Sequence, residues 1–277
     1  MSSSKIIFIT GVSSGFGRAL AQEALTAGHR VVGTVRSVQA RQAFEALDPA
    51  RAFGYLLDVT DIAAIGTVVS DVETRIGPID VLVNNAGYGH EGVMEESSLD
   101  DMRRQFDVNV FGPVAIMKAI LPHMRARRRG HIMNITSMGG FITLPGIAYY
   151  CGSKFALEGI SEALGKEVKP FGIAVTAVAP GSFRTDWAGR SMVRAARSIA
   201  DYDALFDPIR QAREAKSGAQ LGDPVKAARA MLAAIESDTP PAHLLLGSDA
   251  LTLVREKWRA FAAEMDAWES VTRSTDG

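Results

Sequence analysis

A tyrosine and a lysine stand four residues apart in the stretch AYYCGSKFALEGISEAL, at Tyr150 and Lys154. If this stretch forms a helix, the two side chains lie one turn apart on the same face. A phenol with a pKa of about 10 is a poor acid or base at neutral pH, and a neighbouring ammonium group favours the phenolate. The pair therefore predicts a tyrosine acid–base catalyst, although a buried tyrosine beside a solvated lysine is the commoner reason for such spacing.

A glycine-rich turn opens the chain, with Gly11, Gly15 and Gly17 between an apolar run and a helical pattern. The backbone amides of such a turn and the N-terminus of the following helix can bind a pyrophosphate. The turn lacks the Lys-Ser/Thr ending of a triphosphate-binding loop, which argues against ATP or GTP. Turn geometry alone also explains glycines of this kind.

Two further motifs lie between these, Ser137 in HIMNITSMGG and the NNAG sequence that ends at Gly87. Together the motifs TGxxxGxG, NNAG and YxxxK resemble the short-chain dehydrogenase/reductase family in its shorter, NADP-preferring form. The resemblance covers residues 1 to roughly 250. It implies a Rossmann fold and hydride transfer between a nicotinamide and a carbonyl or secondary alcohol. The catalytic residues that it implies are Asn109, Ser137, Tyr150 and Lys154.

The family resemblance gives each of these residues a role. Tyr150 is expected to donate or remove the hydroxyl proton, Ser137 to polarise the substrate oxygen, and Lys154 to tune Tyr150 and bind the nicotinamide ribose. Asn109 is expected to position a relay water, and a buried helical asparagine bonded to its own backbone is the alternative. Because Pro113 has no N–H, a continuous helix here would leave the Asn109 carbonyl without its intrahelical donor.

The residues after the second predicted strand, Gly33-Thr34-Val35-Arg36-Ser37, include no acid. An acid at this place binds the ribose hydroxyls of NAD, whereas an arginine accepts the 2′-phosphate of NADP, so Arg36 favours NADP(H). Asp58 matches the family position that binds the adenine amine, and a turn aspartate explains it equally well. By resemblance the cofactor-binding residues are Gly11, Ser13, Ser14, Gly15, Phe16, Gly17, Arg36, Asp58, Val59, Asn85, Ala86, Gly87, Tyr150, Lys154, Pro180, Gly181, Phe183 and Thr185.

Two other function classes stay open. One is a catalytically silent NADP-binding sensor or regulatory protein, which is expected to have lost the tyrosine or the lysine. The other is an epimerase or dehydratase on the same fold, which the glycine spacing and the chain length disfavour. A hydrolase role for Ser137 is disfavoured, because it would need a histidine base, no histidine lies in a recognisable nucleophile motif, and GxSxG is absent.

Strand-like and helix-like patterns alternate along the chain. Strands are predicted at 5–10, 30–35, 51–57, 79–84, 131–136, 173–179 and 244–246, and helices at 18–27, 62–75, 99–126, 150–168, 224–236 and 251–268. Asp223 is the expected N-cap of the helix at 224–236. Such alternation predicts an α/β fold, a single-domain Rossmann-type doubly wound parallel β-sheet with helices on both faces.

The segment 182–222 breaks this alternation and shows no clean strand, so we expect short helices that form a mobile substrate-binding lid. Apolar side chains of this segment and of the loop after Ser137 suggest a bulky apolar or aromatic substrate rather than a sugar. Packing within the lid is the alternative explanation for them. The expected substrate contacts are Ser137, Phe141, Ile142, Leu144, Tyr150, Phe183, Trp187 and Met192.

Composition limits the remaining possibilities. The 277 residues carry a formal net charge of −1, which gives no reason to expect nucleic acid or a membrane as partner. The one cysteine, Cys151, suits a reducing compartment, and no apolar run is long enough for a membrane span. We therefore expect a cytoplasmic protein. We also expect no catalytic metal, since no histidine stands near other potential metal ligands in the sequence. By family resemblance it forms a homodimer or homotetramer.

Overall fold

Parallel strands form the centre of the computed structural model, which describes residues 4–185, 187, 189 and 191–277. The strands of the described residues are β1 Ile6–Thr10, β2 Arg30–Val35, β3 Ala52–Leu56, β4 Val81–Asn84, β5 Gly89–Glu91, β6 Gly130–Ile135, β7 Ile173–Pro180, β8 Met192–Arg194 and β9 His243–Leu246. Seven of them make one sheet in the order β3-β2-β1-β4-β6-β7-β9, and each neighbouring pair is parallel. The short strands β5 and β8 pair with each other, also in parallel.

Helices cover both faces of the sheet. Their bounds are α1 Gly15–Thr26, α2 Val38–Glu45, α3 Ile62–Arg75, α4 Leu99–Phe106, α5 Gly112–Arg127, α6 Ala148–Val168, α7 Asp203–Ala215, α8 Pro224–Glu236 and α9 Ser248–Arg273. The Rossmann-type α/β fold is thus confirmed in the arrangement of the elements. The helix α8 has its predicted bounds, and the Asp223 carboxylate caps it by accepting from the amides of Val225 and Lys226.

The central strand β1 is buried on both sides, which explains its unbroken apolar sequence IIFIT. Because side chains alternate along a strand, Ile7 and Ile9 pack into one hydrophobic core and Ile6 and Phe8 into the other. The first core contains residues of α1 and α8, and the second contains residues of α3 and α5. The sheet is thereby held rigidly between two helical layers.

The chain runs outward from β1 to β3 and then returns to β4 on the other side of β1. This reversal leaves a crevice at the carboxyl ends of the strands, which is where open parallel sheets bind ligands. The glycine turn follows β1, and Asn85 follows β4. The topology therefore brings the glycine turn and the NNAG motif to the same edge of the sheet.

The predicted helical stretch at 99–126 is helical from 99 to 127, but it is not α-helical throughout. It begins as α4, passes through a π-helical turn at Asp107–Phe111, and continues as α5. In this turn the Gly112 amide donates to the Asp107 carbonyl, one residue further back than in an α-helix. The wide turn lies directly before Pro113, and Asn109 is inside it.

The expectation for 182–222 was also incomplete. Besides a short 3₁₀ turn at Ala200–Tyr202, the segment contains the thirteen-residue helix α7 and the strand β8. The strand escapes notice in the sequence because it has three residues and pairs with the equally short β5. Residues 186, 188 and 190 of the segment lie outside the described residues. Among the described helices, none is long and apolar enough to cross a membrane.

Candidate active site

The glycine turn lines the crevice with Gly11, Ser13, Ser14, Gly15 and Phe16. Gly11 and Gly15 have φ values of +73° and +58°, which other residues rarely adopt. Ser14 stands at the N-cap of α1 in extended conformation, and its side chain makes no capping hydrogen bond. Since the first turn of α1 has no acidic residue either, its N-terminal amides and partial positive charge are free to hold an anion.

Thr10 and Asn85 hold the end of β1 against the end of β4. The Thr10 hydroxyl oxygen accepts from the amides of Asn85 and Ala86, each at 2.9 Å. The Asn85 side-chain amide donates to the Thr10 carbonyl at 2.8 Å and to the Gly11 carbonyl at 3.0 Å. This clamp fixes the shape of the glycine turn through hydrogen bonds alone.

Arg36 lies at the end of β2 and lines the same crevice as Asp58. Burial raises the pKa of the Asp58 carboxyl, but hydrogen bonds from Thr60 and the charge of Arg36 outweigh it and lower that pKa. The Thr60 amide and hydroxyl donate to Asp58 at 3.0 and 2.7 Å. Asp58 is thus both a turn residue and a wall of the crevice, so the two explanations given for it are compatible.

The helix α6 and the end of β6 bring the predicted catalytic pair together with Ser137. Tyr150, Lys154 and Ser137 are all buried, at 7%, 6% and 9% exposure. Ser137 and Tyr150 lie on either side of Gly139, where an added Cβ would be 3.3 Å from Tyr150 Cε1 and 3.4 Å from Ser137 Oγ. The Lys154 ammonium lies 5.8 Å from the centre of the Tyr150 ring and donates to the Ile135 carbonyl at 2.8 Å.

The pKa of Tyr150 differs from the sequence-based expectation. Burial raises it above its usual value, and the Ser137 hydrogen bond only partly opposes this. Burial also lowers the pKa of Lys154 to about 8, although the charge of Glu158 counteracts it. The expected lowering of the tyrosine pKa by its lysine is therefore absent here, because desolvation dominates both groups.

Asn109 lies behind the catalytic pair and is 1% exposed. Its side-chain nitrogen donates to the Tyr88 carbonyl and to the Ser153 hydroxyl, each at 3.1 Å, and its oxygen accepts from the Tyr88 amide at 3.2 Å. The side chain thus ties the π-helical turn to the NNAG loop and to α6. It is not bonded to its own helix, which was the alternative explanation.

Glu158 lies next to the predicted site but was not selected from the sequence. It follows Lys154 by one helical turn and is 6% exposed. Its carboxylate accepts from the Thr136 hydroxyl and pairs with His243 Nδ1 at 3.1 Å. Burial raises the pKa of this carboxyl. Glu158 therefore joins α6 to the end of β6 and the start of β9 and places a carboxylate one turn after Lys154.

The crevice has a volume of about 1480 Å³ and brings most of the predicted residues to one surface. Those that line it are Gly11, Ser13, Ser14, Gly15, Phe16, Arg36, Asp58, Val59, Asn85, Ala86, Gly87, Ser137, Leu144, Tyr150, Lys154, Pro180, Gly181, Phe183, Thr185 and Trp187.

Five predicted residues do not line the crevice. Gly17 packs beneath the turn, where an added Cβ would lie 2.3 Å from the Gly11 carbonyl oxygen. Phe141 turns away and packs its ring against His243, with centroids 5.9 Å apart, because a 3₁₀ turn over Met138–Gly140 redirects the chain. The others are Asn109, Ile142 and Met192, and all three are buried in the protein.

The 182–222 segment supplies crevice residues that sequence reasoning did not identify. One face of α7 contributes Ile209, Ala212 and Arg213, and its C-cap residue contributes Lys216; their spacing of three and four residues is the only sequence signal for them. Asp249 accepts from the Ser182 amide at 2.7 Å and thereby attaches the start of the segment to α9. Trp187 packs over Tyr150, with ring centroids 5.0 Å apart.

Ion pairs attach this segment to the rest of the molecule. Glu91 on β5 is 1% exposed and pairs with Arg194 at 3.1 Å and with Arg213 of α7. Glu96, whose side chain is fully buried, pairs with Arg197 at 2.9 Å. It also accepts from two backbone amides, and the first of these, that of Ser198, is the main cause of its lowered pKa.

The residues present fit a dinucleotide rather than a metal. The turn with positive φ at Gly15 has open space in front of it, with Thr185 no closer than 3.8 Å to an added Cβ. Beyond it lie an uncapped helix N-terminus and the Arg36 cation, both of which suit phosphate groups. Among the described residues, no group of three or more His, Cys, Asp or Glu side chains could hold a metal ion.

Comparison with known proteins agrees with this geometry. Residues 5–194 match the model of the short chain dehydrogenase family. Oxidoreductase BOA17 of Botryotinia fuckeliana is 36% identical over 269 residues, which is 97% of this chain and 98% of that protein. The chain therefore belongs to the short-chain dehydrogenase family and is an oxidoreductase by descent.

Solved structures extend the comparison to the cofactor. A short-chain dehydrogenase from Streptomyces avermitilis is 42% identical with a TM-score of 0.93, and the match covers 100% of both chains. ElxO with NADP bound is 25% identical, with a TM-score of 0.74 over 90% of this chain and 99% of that one. A Burkholderia phymatum relative in complex with NAD is 25% identical, with a TM-score of 0.81 over 94% and 95% of the two chains.

Proposed function

We propose that this short-chain dehydrogenase is an NADP(H)-dependent oxidoreductase that interconverts an apolar or aromatic ketone and its secondary alcohol, with Tyr150 as general acid and base. The observation that carries the proposal is that Ser137, Tyr150 and Lys154 line the same crevice as the glycine turn, with the Lys154 ammonium 5.8 Å from the centre of the Tyr150 ring. We further propose that it works in the cytoplasm, because its one cysteine, Cys151, is reduced and buried.

Arg36 supports the choice of NADP(H). It follows the end of β2 and lines the crevice where the 2′-phosphate of a bound cofactor would lie, and the residues around it in the sequence, Gly33 to Ser37, include no acid to favour NAD. The relatives have been solved with NADP in one case and NAD in another, so the preference rests on Arg36 itself. The glycine turn, the NNAG loop and the Pro180-Gly181 pair would hold the remainder of the cofactor.

A bound nicotinamide would supply the hydride acceptor or donor. Burial keeps the Tyr150 phenol protonated, which suits the donation of a proton to a carbonyl oxygen. The Ser137 hydroxyl, itself steadied by a 3.0 Å hydrogen bond from the Gly139 amide, orients that phenol and can donate to the same oxygen. Lys154 places positive charge beneath the tyrosine ring and stabilises the phenolate that forms when the proton leaves.

The substrate side of the crevice supports an apolar substrate. Leu144, Ile147, Trp187, Val193 and Ile209 line it near Tyr150, and a pocket of this composition binds apolar groups with a few polar contacts. A free sugar would need more fixed polar partners than these residues offer.

The test is a coupled screen in which carbonyl compounds are offered with NADPH or NADH, and alcohols with the oxidised cofactors, while nicotinamide absorbance is followed.

Tyr150→Phe keeps the ring and its packing but removes the acid, so turnover should fall by roughly 10²–10⁴-fold while NADPH affinity is unchanged. Tyr149→Phe is the matched control, because the neighbouring hydroxyl bonds only the Ser97 carbonyl, at 3.0 Å. Tight NADPH binding without turnover of any carbonyl would favour the silent sensor instead.

A further inference from the structure

The C-terminal helix α9 extends beyond the body of the protein. Val254 is its last buried residue, and every residue from Arg255 to Arg273 is exposed. At a rise of about 1.5 Å per residue, this part is roughly 28 Å long. Helices in proteins owe most of their stability to the packing of an apolar face. Residues 255–273 of α9, called the arm below, have no such packing within the described chain, so we expect a partner to cover them.

One face of the arm is apolar and exposed. Trp258, Phe261, Met265 and Trp268 are exposed by 63%, 53%, 52% and 61%. They continue the spacing of Leu251 and Val254 with alternating steps of three and four residues, which is the pattern of a coiled-coil seam. Large exposed apolar faces of this kind mark association sites.

The charges beside the seam change sign halfway along the arm. Arg255 and Lys257 flank its proximal half, one on each side, and Glu264 and Glu269 flank its distal half in the same way. Within the described residues Arg255 and Glu264 have no ion-pair partner, and Glu269 pairs only with the neighbouring exposed Arg273. A helix with this pattern is complementary to a reversed copy of itself.

We propose that α9 pairs with α9 of a second copy of this chain, antiparallel, across a two-fold axis near Phe261. This arrangement puts Arg255 opposite Glu269 and Lys257 opposite Glu264 on both sides of the seam. The same axis puts Trp258 opposite Met265 and Phe261 opposite its own copy. Trp268 then reaches the place where the partner's α9 leaves its body, next to the exposed Leu251.

Charge also argues against the other arrangements. A parallel pair would bring Glu264 of one copy against Glu269 of the other, which like charges disfavour. A membrane-surface helix has a polar face rich in Lys and Arg, whereas the distal half of this arm carries Glu264, Asp266 and Glu269. The exposed seam amounts to an interface on the order of 1,000 Å² in total, which is enough for a specific dimer. The proposal does not depend on the enzymatic activity.

The test measures the mass of the full-length protein by light scattering and sedimentation over a concentration series. The wild type should be dimeric at micromolar concentration, and Phe261→Glu should raise the dissociation constant at least tenfold. Glu264→Lys with Glu269→Lys should weaken the dimer similarly, and adding Arg255→Glu with Lys257→Glu should restore it. Glu256→Lys lies on the opposite face of α9 and should change nothing. A circular dichroism spectrum confirms that each variant folds.

Cross-linking determines the direction of pairing. In an antiparallel pair Ala262→Cys lies near the axis and should cross-link to its copy through a short reagent, whereas Thr272→Cys, near the end of α9, should not. Cross-linking at both positions would show a parallel pair and overturn the proposal. A monomeric wild type, a dimer indifferent to Phe261→Glu, or a monomer that floats with phosphatidylcholine–phosphatidylserine vesicles would overturn it equally.

Discussion

The two halves of the crevice are held together by different forces. On the cofactor side, hydrogen bonds of Thr10 and Asn85 join two adjacent strand ends, and backbone conformation shapes the glycine turn. On the substrate side, buried carboxylates pair with arginines far away in the sequence. Glu91 and Arg213 are 122 residues apart, and Glu96 and Arg197 are 101 apart.

This difference predicts different sensitivities. A turn fixed by backbone geometry and a packed sheet edge keeps its shape when surface charges change. A segment held by buried ion pairs loses much of its attachment when one partner is neutralised, because the other charge is left without compensation. Substitutions can therefore separate the two halves, by altering substrate binding without cofactor binding or the reverse.

The largest effect is expected from Glu91→Gln, which keeps the side-chain shape and removes the charge. Arg213 then faces a neutral amide in a nearly closed site, so the free energy of unfolding should fall by about 3 kcal/mol. The KM for a carbonyl substrate should rise, while the Kd for NADPH stays within about twofold. Urea unfolding and steady-state kinetics measure these effects.

Glu214→Gln is the matched control for this prediction. Glu214 also pairs with Arg194, at 3.4 Å, but it is 50% exposed, so the loss should be under about 1 kcal/mol. If Glu91→Gln weakens NADPH as much as it weakens substrate, the two halves are not independently held.

Sequence reasoning succeeded where local patterns carry the information. The apolar run of β1, the Asp223 cap of α8 and the four-residue step from Tyr150 to Lys154 are each contained in one element. Because the topology brings strand ends to one edge, these local signals also placed the cofactor side of the crevice. Their chemical roles remain predictions.

The substrate side could not be obtained in the same way. Nothing near Glu91 in the sequence indicates Arg213, because their pairing depends on how α7 packs against β5. The spacing of Phe141 after Ser137 suggested a pocket residue, but the 3₁₀ turn between them points its ring at His243. Glu158 was missed because its partners come from two other strands.

The next effect in size concerns the cofactor side. Arg36→Gln should weaken NADP(H) by roughly 1.5–3 kcal/mol, about 10- to 150-fold, since only the 2′-phosphate loses a charge-assisted contact. NADH binding and the carbonyl KM at saturating cofactor should be unchanged. Fluorescence titration with each cofactor measures the affinities. Arg104→Gln, which removes another cation lining the crevice, should not discriminate between the cofactors, and equal losses for both on Arg36→Gln would make Arg36 structural.

A smaller effect is expected from Glu158, which is buried on α6 one turn after Lys154. Its charge opposes the burial that lowers the pKa of Lys154 to about 8, so Glu158→Gln should lower that pKa further. Lys154 must be protonated to act, and the protonated fraction falls as pH rises through its pKa. The alkaline limb of the pH–activity profile should therefore move to lower pH, by up to about one unit.

Glu162→Gln is the control for Glu158. It lies one turn further along α6, is 51% exposed and pairs with Lys166 at 2.6 Å, so the limb should not move. A shift of the limb to higher pH in Glu158→Gln would show that the carboxylate does not support the charge of Lys154.

The smallest effect is expected where the two halves meet, at Trp187. Its ring packs on Tyr150 from the substrate side, and its indole N–H is buried without a hydrogen-bond partner in the described part of the chain. Trp187→Ala should raise the KM for bulky aromatic ketones about five- to tenfold, because roughly 1–1.5 kcal/mol of ring contact is lost, and it should change the KM for small polar carbonyls far less.

Trp187→Phe keeps a ring but lacks the N–H, so an intermediate KM would attribute the effect to packing. If Trp187→Phe is as impaired as Trp187→Ala, the free N–H binds the substrate and the pocket is more polar than proposed. If small polyols are the best substrates and both variants leave their kinetics unchanged, Trp187 only packs against Tyr150, and the substrate side is not an apolar pocket.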